Sequence, residues 1–325
     1  MTDGTGRVID YLRVSVTDRC NLRCVYCMPP RGVEPVPHRE MLTLEEIGSI
    51  CGAAARLGVT RVKLTGGEPL VRKGCPRLVE MLKAIPGIRE VTMTTNGILL
   101  PRMLGELTAA GLDGVNISLD TLDPVRYKAL TRYPLDGDAQ EAIHAALGAG
   151  LRVKVNCVPI REHNDRDLEE LAALARDRQL DVRFIELMPV GMGAALTPIP
   201  GEEVRQRLEA AFGPMEPYQG APRGNGPAVY YSLPGFTGKI GFISAVSHRF
   251  CGDCNRVRLT STGFLKLCLH YSDGVPLREL VRSGAGEEEL ARVMAKAIRD
   301  KPLHHDFGGK ESAGWDRHIM SQIGG

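Results

Sequence analysis

Leu12-Arg-Val-Ser-Val-Thr-Asp-Arg-Cys-Asn-Leu-Arg-Cys-Val-Tyr-Cys27 carries two separate messages. Its first half alternates: Leu12, Val14 and Val16 fall on one side of a strand and Arg13, Ser15 and Thr17 on the other, because successive strand side chains point to opposite faces. Its second half gathers Cys20, Cys24 and Cys27 within eight residues, giving three thiolates where a closed metal site takes four. An iron-sulfur cluster held by three cysteines keeps one iron open to a small molecule. Three thiolates that recruit a histidine would instead close a structural zinc site.

The alternation recurs downstream. Val62 and Leu64 oppose Lys63 and Thr65; Val91 and Met93 oppose Thr92 and Thr94; Val115 and Ile117 oppose Asn116 and Ser118; Val153, Val155 and Cys157 oppose Lys154 and Asn156. With a further apolar run at 182–185, six strand-length segments alternate with amphipathic helical ones, the pattern of βα units and a parallel sheet. The clearest helix covers 43–57, where Thr43 and Glu46 form a capping box and Gly58 stops the helix. If the apolar strand faces meet the outer helices, the polar faces line the inside of a curved sheet. A closed (β/α)8 barrel fills that space with branched apolar side chains, so this lumen is suited to a ligand instead. Arg13, Lys63 and Lys154 in its lining make the ligand anionic, since buried cations need partners. A strand face turned to solvent would show the same alternation. The strand ends run into Thr17-Asp-Arg-Cys, Thr65-Gly-Gly-Glu-Pro, Thr95-Asn-Gly and Glu186-Leu-Met-Pro, at the carboxyl-end rim where α/β barrels place their chemistry.

The 325 residues, 43% hydrophobic and 25% charged, suffice for a barrel-sized domain with an appendage. No segment has the unbroken apolar length of a membrane helix and the first ten residues have no signal-peptide core, so the expected location is cytoplasmic. There, nine cysteines read as metal ligands or free thiols rather than disulfides, and the isolated Cys51, Cys75 and Cys157 as small buried hydrophobes. A net charge of +2 is too small for wholesale nucleic-acid or membrane binding, so any anion site is local. After Glu186 the βα rhythm stops, and Gly and Pro become frequent over 189–234. This suggests two parts, 1–190 and 191–325, the second with a hairpin over 229–246 and a helix over 287–299.

The second part holds another three cysteines, Cys251, Cys254 and Cys268. Alone they favour structural zinc, with His248 or His270 as fourth ligand. Their company points elsewhere. Asn255-Arg256-Val257-Arg258 puts two arginines on one face of an extended segment, and planar guanidinium groups suit phosphate oxygens. Two incomplete sites beside one cationic lumen suggest that one open iron activates a cofactor and the other holds a substrate.

Both cysteine sets, the Thr-Gly-Gly-Glu-Pro turn, Arg-Phe-Ile-Glu-Leu-Met-Pro at 183–189, Phe-Cys-Gly-Asp-Cys-Asn-Arg-Val-Arg-Leu at 250–259 and the final Gly324-Gly325 make the chain resemble the GTP 3′,8-cyclases. These are the radical S-adenosylmethionine (SAM) enzymes that open molybdenum cofactor biosynthesis. The first cysteine spacing is that of the radical SAM superfamily; the second cysteine and arginine segment with the diglycine is more specific. The resemblance implies an α/β fold, an incomplete (β/α)6 TIM-like barrel closed by a C-terminal auxiliary-cluster domain. It implies two 4Fe-4S clusters, one on Cys20, Cys24 and Cys27 and one on Cys251, Cys254 and Cys268. It matches Tyr26, Gly67, Ser118 and Met188 to SAM contacts, and Arg13, Lys63, Thr94, Lys154, Arg256, Val257 and Arg258 to GTP contacts. Arg183 stays outside that set because its strand phase is unsettled.

The implied reaction takes hydrogen from C3′ of GTP and joins that carbon to C8, giving (8S)-3′,8-cyclo-7,8-dihydroguanosine 5′-triphosphate, with no side chain as catalytic acid or base. The implied partners are GTP, a reductant such as a flavodoxin or ferredoxin, a cyclic pyranopterin monophosphate synthase downstream and, as a candidate, a second copy in a homodimer; nucleic acid and membrane are not among them. Gly324-Gly325 resembles the family's mobile tail. A peptide-modifying maturase, another radical SAM class, would carry more cysteines in its extension, and a zinc module would hold no iron.

Overall fold

Short apolar runs pair in parallel to build one sheet. The computed structural model describes residues 1–133, 138–307, 314–316 and 318–324. In it β1 (Tyr11–Ser15), β2 (Arg61–Thr65), β3 (Glu90–Thr95), β4 (Gly114–Ser118), β5 (Arg152–Cys157) and β6 (Leu180–Ile185) lie side by side, all parallel. The later chain adds β7 (Glu216–Pro217), β8 (Val229–Ser232) and β9 (Ile240–Ile243) at one edge, β9 parallel to β6. It returns to the other edge with β10 (Arg256–Leu259) parallel to β1, followed by antiparallel β11 (Phe264–Lys266) and β12 (Gly274–Pro276). The strand order, β12-β11-β10-β1-β2-β3-β4-β5-β6-β9-β8-β7, leaves two free edges, so the barrel is incomplete.

The apolar strand faces meet the helices as the alternation predicts. Leu12, Val14, Leu64, Met93, Ile117, Val155 and Phe184 are buried in one core with residues of helices Leu44–Arg56, Cys75–Lys83, Leu100–Ala109 and Leu168–Ala173. Cys51, Cys75 and Cys157 are fully buried in the same core. Helix Leu44–Arg56 starts on the predicted capping box: Glu46 N–H donates to Thr43 Oγ1 (3.1 Å) and Thr43 N–H to Glu46 Oε2 (2.7 Å). Thr43→Ala is expected to cost about 1 kcal/mol and to lower the thermal midpoint by about 2 °C, with cluster loading unchanged; calorimetry with iron analysis checks it.

The span 189–234 is more ordered than its composition suggests. It contains helix Gly201–Phe212, whose buried face is only Val204 and Leu208, with Arg207 paired to Glu169 (2.8 Å) on the neighbouring helix. Two apolar anchors in a charged helix give too weak a period to read. The hairpin over 229–246 is β8 with β9, and the last long helix is Glu287–Arg299, as expected. Among the described residues no helix is long and apolar enough to cross a membrane.

Candidate functional site

The polar strand faces and the loops at the carboxyl rim surround one large cavity. Sixteen of the seventeen residues singled out above line it. Val257 is the correction: in β10 the two-residue period turns Arg256 and Arg258 inward and buries Val257 in the outer core, 1% exposed.

The first cysteine set occupies the loop after β1, held from several sides. Arg23 Nη1 donates to the carbonyls of Cys20 (2.6 Å) and Leu22 (2.8 Å), and Arg132 Nη1 to those of Arg23 (2.6 Å) and Met28 (3.2 Å). The Gly-Gly turn after β2 is strapped against it: Gly67 N–H donates to Thr17 O and Glu68 N–H to Arg19 O, both 2.8 Å. A Cβ on Gly67 would sit 2.3 Å from Arg19 O, so this close approach requires glycine. Burial pushes the Cys20 thiol up to about 11, Cys27 to about 12 and Cys24 well above its ordinary value, so loading with iron must displace protons.

Two buried carboxyl groups at this rim carry no prediction. Glu68 accepts from Leu70 N–H (3.0 Å), Thr95 Oγ1 (2.8 Å) and Asn96 N–H (2.7 Å), yet burial pushes it up to about 7. Asp120 accepts from Tyr26 Oη (2.7 Å) and Val158 N–H (2.8 Å), and burial pushes it up to about 6. Tyr26 is thereby fixed beside Cys27. Glu68 stood in the quoted turn, and Asp120 two residues beyond Ser118; their acceptor roles depend on loop geometry that a strand pattern does not encode. Thr94, Ser118 and Met188 complete this part of the lining.

In the second set, Cys251 and Cys254 lie at the turn before β10 and Cys268 just after β11. Arg256 stacks over the Phe250 ring, 5.0 Å from its centroid. Of the two histidines offered for zinc, His248 is exposed against Ser247, and His270 lines the cavity beside the cysteines, packed among the Tyr271, Phe307 and Trp315 rings. All nine cysteines are free. Among the described residues no three His, Cys, Asp or Glu side chains converge closely enough to hold a single ion. Each set presents three soft thiol donors to the cavity, a donor set that fits an iron-sulfur cluster with one open iron.

The cavity wall is cationic because of register. Arg13 lies opposite Arg258 on one neighbouring strand and Lys63 on the other, so three cations stand side by side. Lys154 faces inward from β5, its ammonium donating to Tyr230 Oη (3.0 Å). Arg183, whose phase the sequence left open, also faces inward, aligned with Asn156 and donating to its Oδ1 through Nε (2.9 Å) and Nη2 (2.5 Å). Burial, then Arg183, Arg13 and Lys154, push Lys63 well below its ordinary value; burial and Arg183 push Lys154 down to about 7. The carboxylates nearby have other partners: Glu90 holds Arg152 and Asn225, and Asp181 holds Arg223. Such a wall is costly until a polyanion occupies it.

The chain end reaches the same space. Met320 and Ser321 line the cavity, the Ser321 main chain bonds Cys27, and Arg258 Nη1 donates to Gly324 O (2.6 Å). Gly324 has φ +85°, and a Cβ there would lie 2.9 Å from Ser15 Cβ. Gly325 lies outside the described residues.

Two family models match the chain, the Radical SAM superfamily over residues 14–175 and Molybdenum Cofactor Synthesis C over 180–307. A GTP 3′,8-cyclase of Pelotomaculum thermopropionicum is 48% identical over 330 residues, and one of Desulforamulus reducens 45% over 330, each comparison covering the whole of both chains. Among solved structures, Streptococcus suis SuiB bound to S-adenosylmethionine superposes with a TM-score of 0.62 at 15% identity, covering 90% of this chain and 68% of that one. That likeness shows the shared radical SAM fold.

Proposed function

The chain belongs to the GTP 3′,8-cyclase family, and we propose that it converts GTP to (8S)-3′,8-cyclo-7,8-dihydroguanosine 5′-triphosphate, the opening step of molybdenum cofactor biosynthesis. One observation carries this reading: a single lumen presents two separate three-cysteine sets and a cationic wall. As a radical SAM protein it uses SAM and a 4Fe-4S cluster. We assign that cluster to Cys20, Cys24 and Cys27, and a second, beside the guanine, to Cys251, Cys254 and Cys268. When bound, the first cluster and SAM supply a carbon radical able to take hydrogen from an unactivated C–H bond.

The protein positions and shields. Asp120 orients Tyr26 on the SAM side; Gly67 lets the main chain approach, with Ser118 and Met188 beside it. Arg13, Lys63, Lys154, Arg256 and Arg258 hold the nucleotide, joined by Thr94 and by Arg183. Residues 1–190 would serve SAM and 191–325 the guanine end. A flavodoxin- or ferredoxin-type reductant supplies the electrons, and a cyclic pyranopterin monophosphate synthase takes the product.

The test is anaerobic reconstitution followed by product analysis with GTP, SAM and reductant. The cyclised nucleotide is expected. 5′-Deoxyadenosine with GTP unchanged would favour a maturase, and zinc without iron would end the cluster assignment.

A pH dependence follows from Lys154. Its ammonium titrates near pH 7 in the free protein because burial and Arg183 oppose its charge. A bound triphosphate favours the charged form and raises that value, so binding takes up a proton between the two values. GTP affinity should fall as pH rises above about 7, by up to roughly tenfold per unit. Calorimetry in buffers of different ionisation enthalpy should detect the proton, and Lys154→Met should reduce the uptake to what Lys63 contributes; pH-independent affinity would contradict the placement.

A further inference from the structure

One guanidinium ties the amino-terminal segment to the second cysteine set. Arg7 pairs with the buried Asp3 (Nε to Oδ2, 2.6 Å), and the rest of its fork meets main-chain carbonyls. Nη1 donates to Cys251 O (2.9 Å) and Leu303 O (3.0 Å), and Nη2 to Lys301 O (3.1 Å) and Pro302 O (2.8 Å). The backbone of a cysteine in the set and that of Lys301 are thus held by the same group.

The Lys301 side chain turns into the cavity that all three cysteines line, and the residue is 5% exposed. Its ammonium donates to the carbonyl of Leu267, the neighbour of Cys268. Among the described residues no carboxylate forms an ion pair with it, and Cys254 and Cys268 line the same cavity. A buried ammonium without a counter-charge is costly, so its placement needs a negative partner.

We propose that Lys301, locked by Arg7, is the fixed counter-charge of the second cluster and raises its reduction potential. This rests on Cys251, Cys254 and Cys268 being cluster ligands. A cluster on three thiolates is already anionic, and the electron accepted from the reductant adds negative charge, which a nearby buried cation stabilises. Lys301 is thus a positioning and tuning residue.

Lys301→Met, Lys301→Arg and the parent are to be reconstituted anaerobically, assayed for iron, and titrated potentiometrically by EPR with and without GTP, the GTP-sensitive signal reporting the second cluster. In Lys301→Met that signal should require a lower potential while the other cluster is unmoved; Lys301→Arg should stay near the parent. Arg7→Lys, which keeps a charge but loses the fork, should shift in the same direction by less. A fully loaded Lys301→Met protein with an unmoved potential overturns the proposal, as does weaker GTP binding alone, which would make Lys301 a substrate contact. Should Lys301→Met lose the second cluster, retention in Lys301→Arg supports the charge requirement, and loss in both refutes it. A parent with zinc or no metal at the second set sinks the cluster reading itself, a result distinct from an unmoved potential.

Discussion

Anaerobically reconstituted Cys268→Ala protein is expected to hold about half the iron of the parent and to lose cyclisation by at least roughly 10³-fold, about 4 kcal/mol in the barrier. Slow formation of 5′-deoxyadenosine from SAM should persist. Cys268 follows β11, and its loop joins the fold through pairing of Leu265 with Leu259 and Val275, which does not involve the sulfur. Its loss should therefore leave the sheet intact while the second set falls to two thiolates. The first set, in the loop after β1, keeps its own supports from Arg23 and Arg132. Iron and sulfide analysis with product mass spectrometry checks this. Full iron content with normal product would remove the second set from the mechanism, and loss of both clusters would make Cys268 a folding residue.

The sequence disclosed those parts of the site that depend on one strand at a time. Alternation assigned Arg13, Lys63, Thr94, Ser118 and Lys154 to the inner face, and all five line the cavity. Pairing between distant strands was not legible. That β10 returns to β1, setting Arg258 beside Arg13 across more than two hundred residues of chain, has no local signal. Arg183 was obscured because β6 opens with Leu180-Asp181 and ends at Ile185, which blurs its phase until alignment with Asn156 fixes it. Val257 enters only through a resemblance that spans a whole segment, whereas the strand period turns its side chain into the outer core and leaves Arg256 and Arg258 facing inward. The Arg7 fork was invisible for another reason: its Nη acceptors are carbonyls, which every residue possesses.

Arg258→Ala should weaken GTP binding by about 100-fold, the cost of roughly 3 kcal/mol for truncating a buried charged hydrogen-bond donor, and leave uncoupled SAM cleavage largely intact. Arg258 is 7% exposed, and burial, Arg13 and Arg256 all oppose its charge, pushing it well below its ordinary value. Removing it relieves repulsion in the free protein but deprives the nucleotide of an anchor. The thermal midpoint without GTP should therefore hold or rise while the shift on adding GTP shrinks, a pattern that loss of packing would not produce. Arg258 also holds Gly324 O, so on the proposed reading the C-terminal segment and the nucleotide would compete for one guanidinium. Gly324→Ala separates the two roles: it strains a φ of +85° and crowds Ser15 without removing charge, so GTP affinity should stay closer to the parent than in Arg258→Ala. Equal loss of GTP binding and SAM cleavage in Arg258→Ala would contradict its place on the nucleotide side, because a residue that only anchors GTP has no direct hold on the first cysteine set.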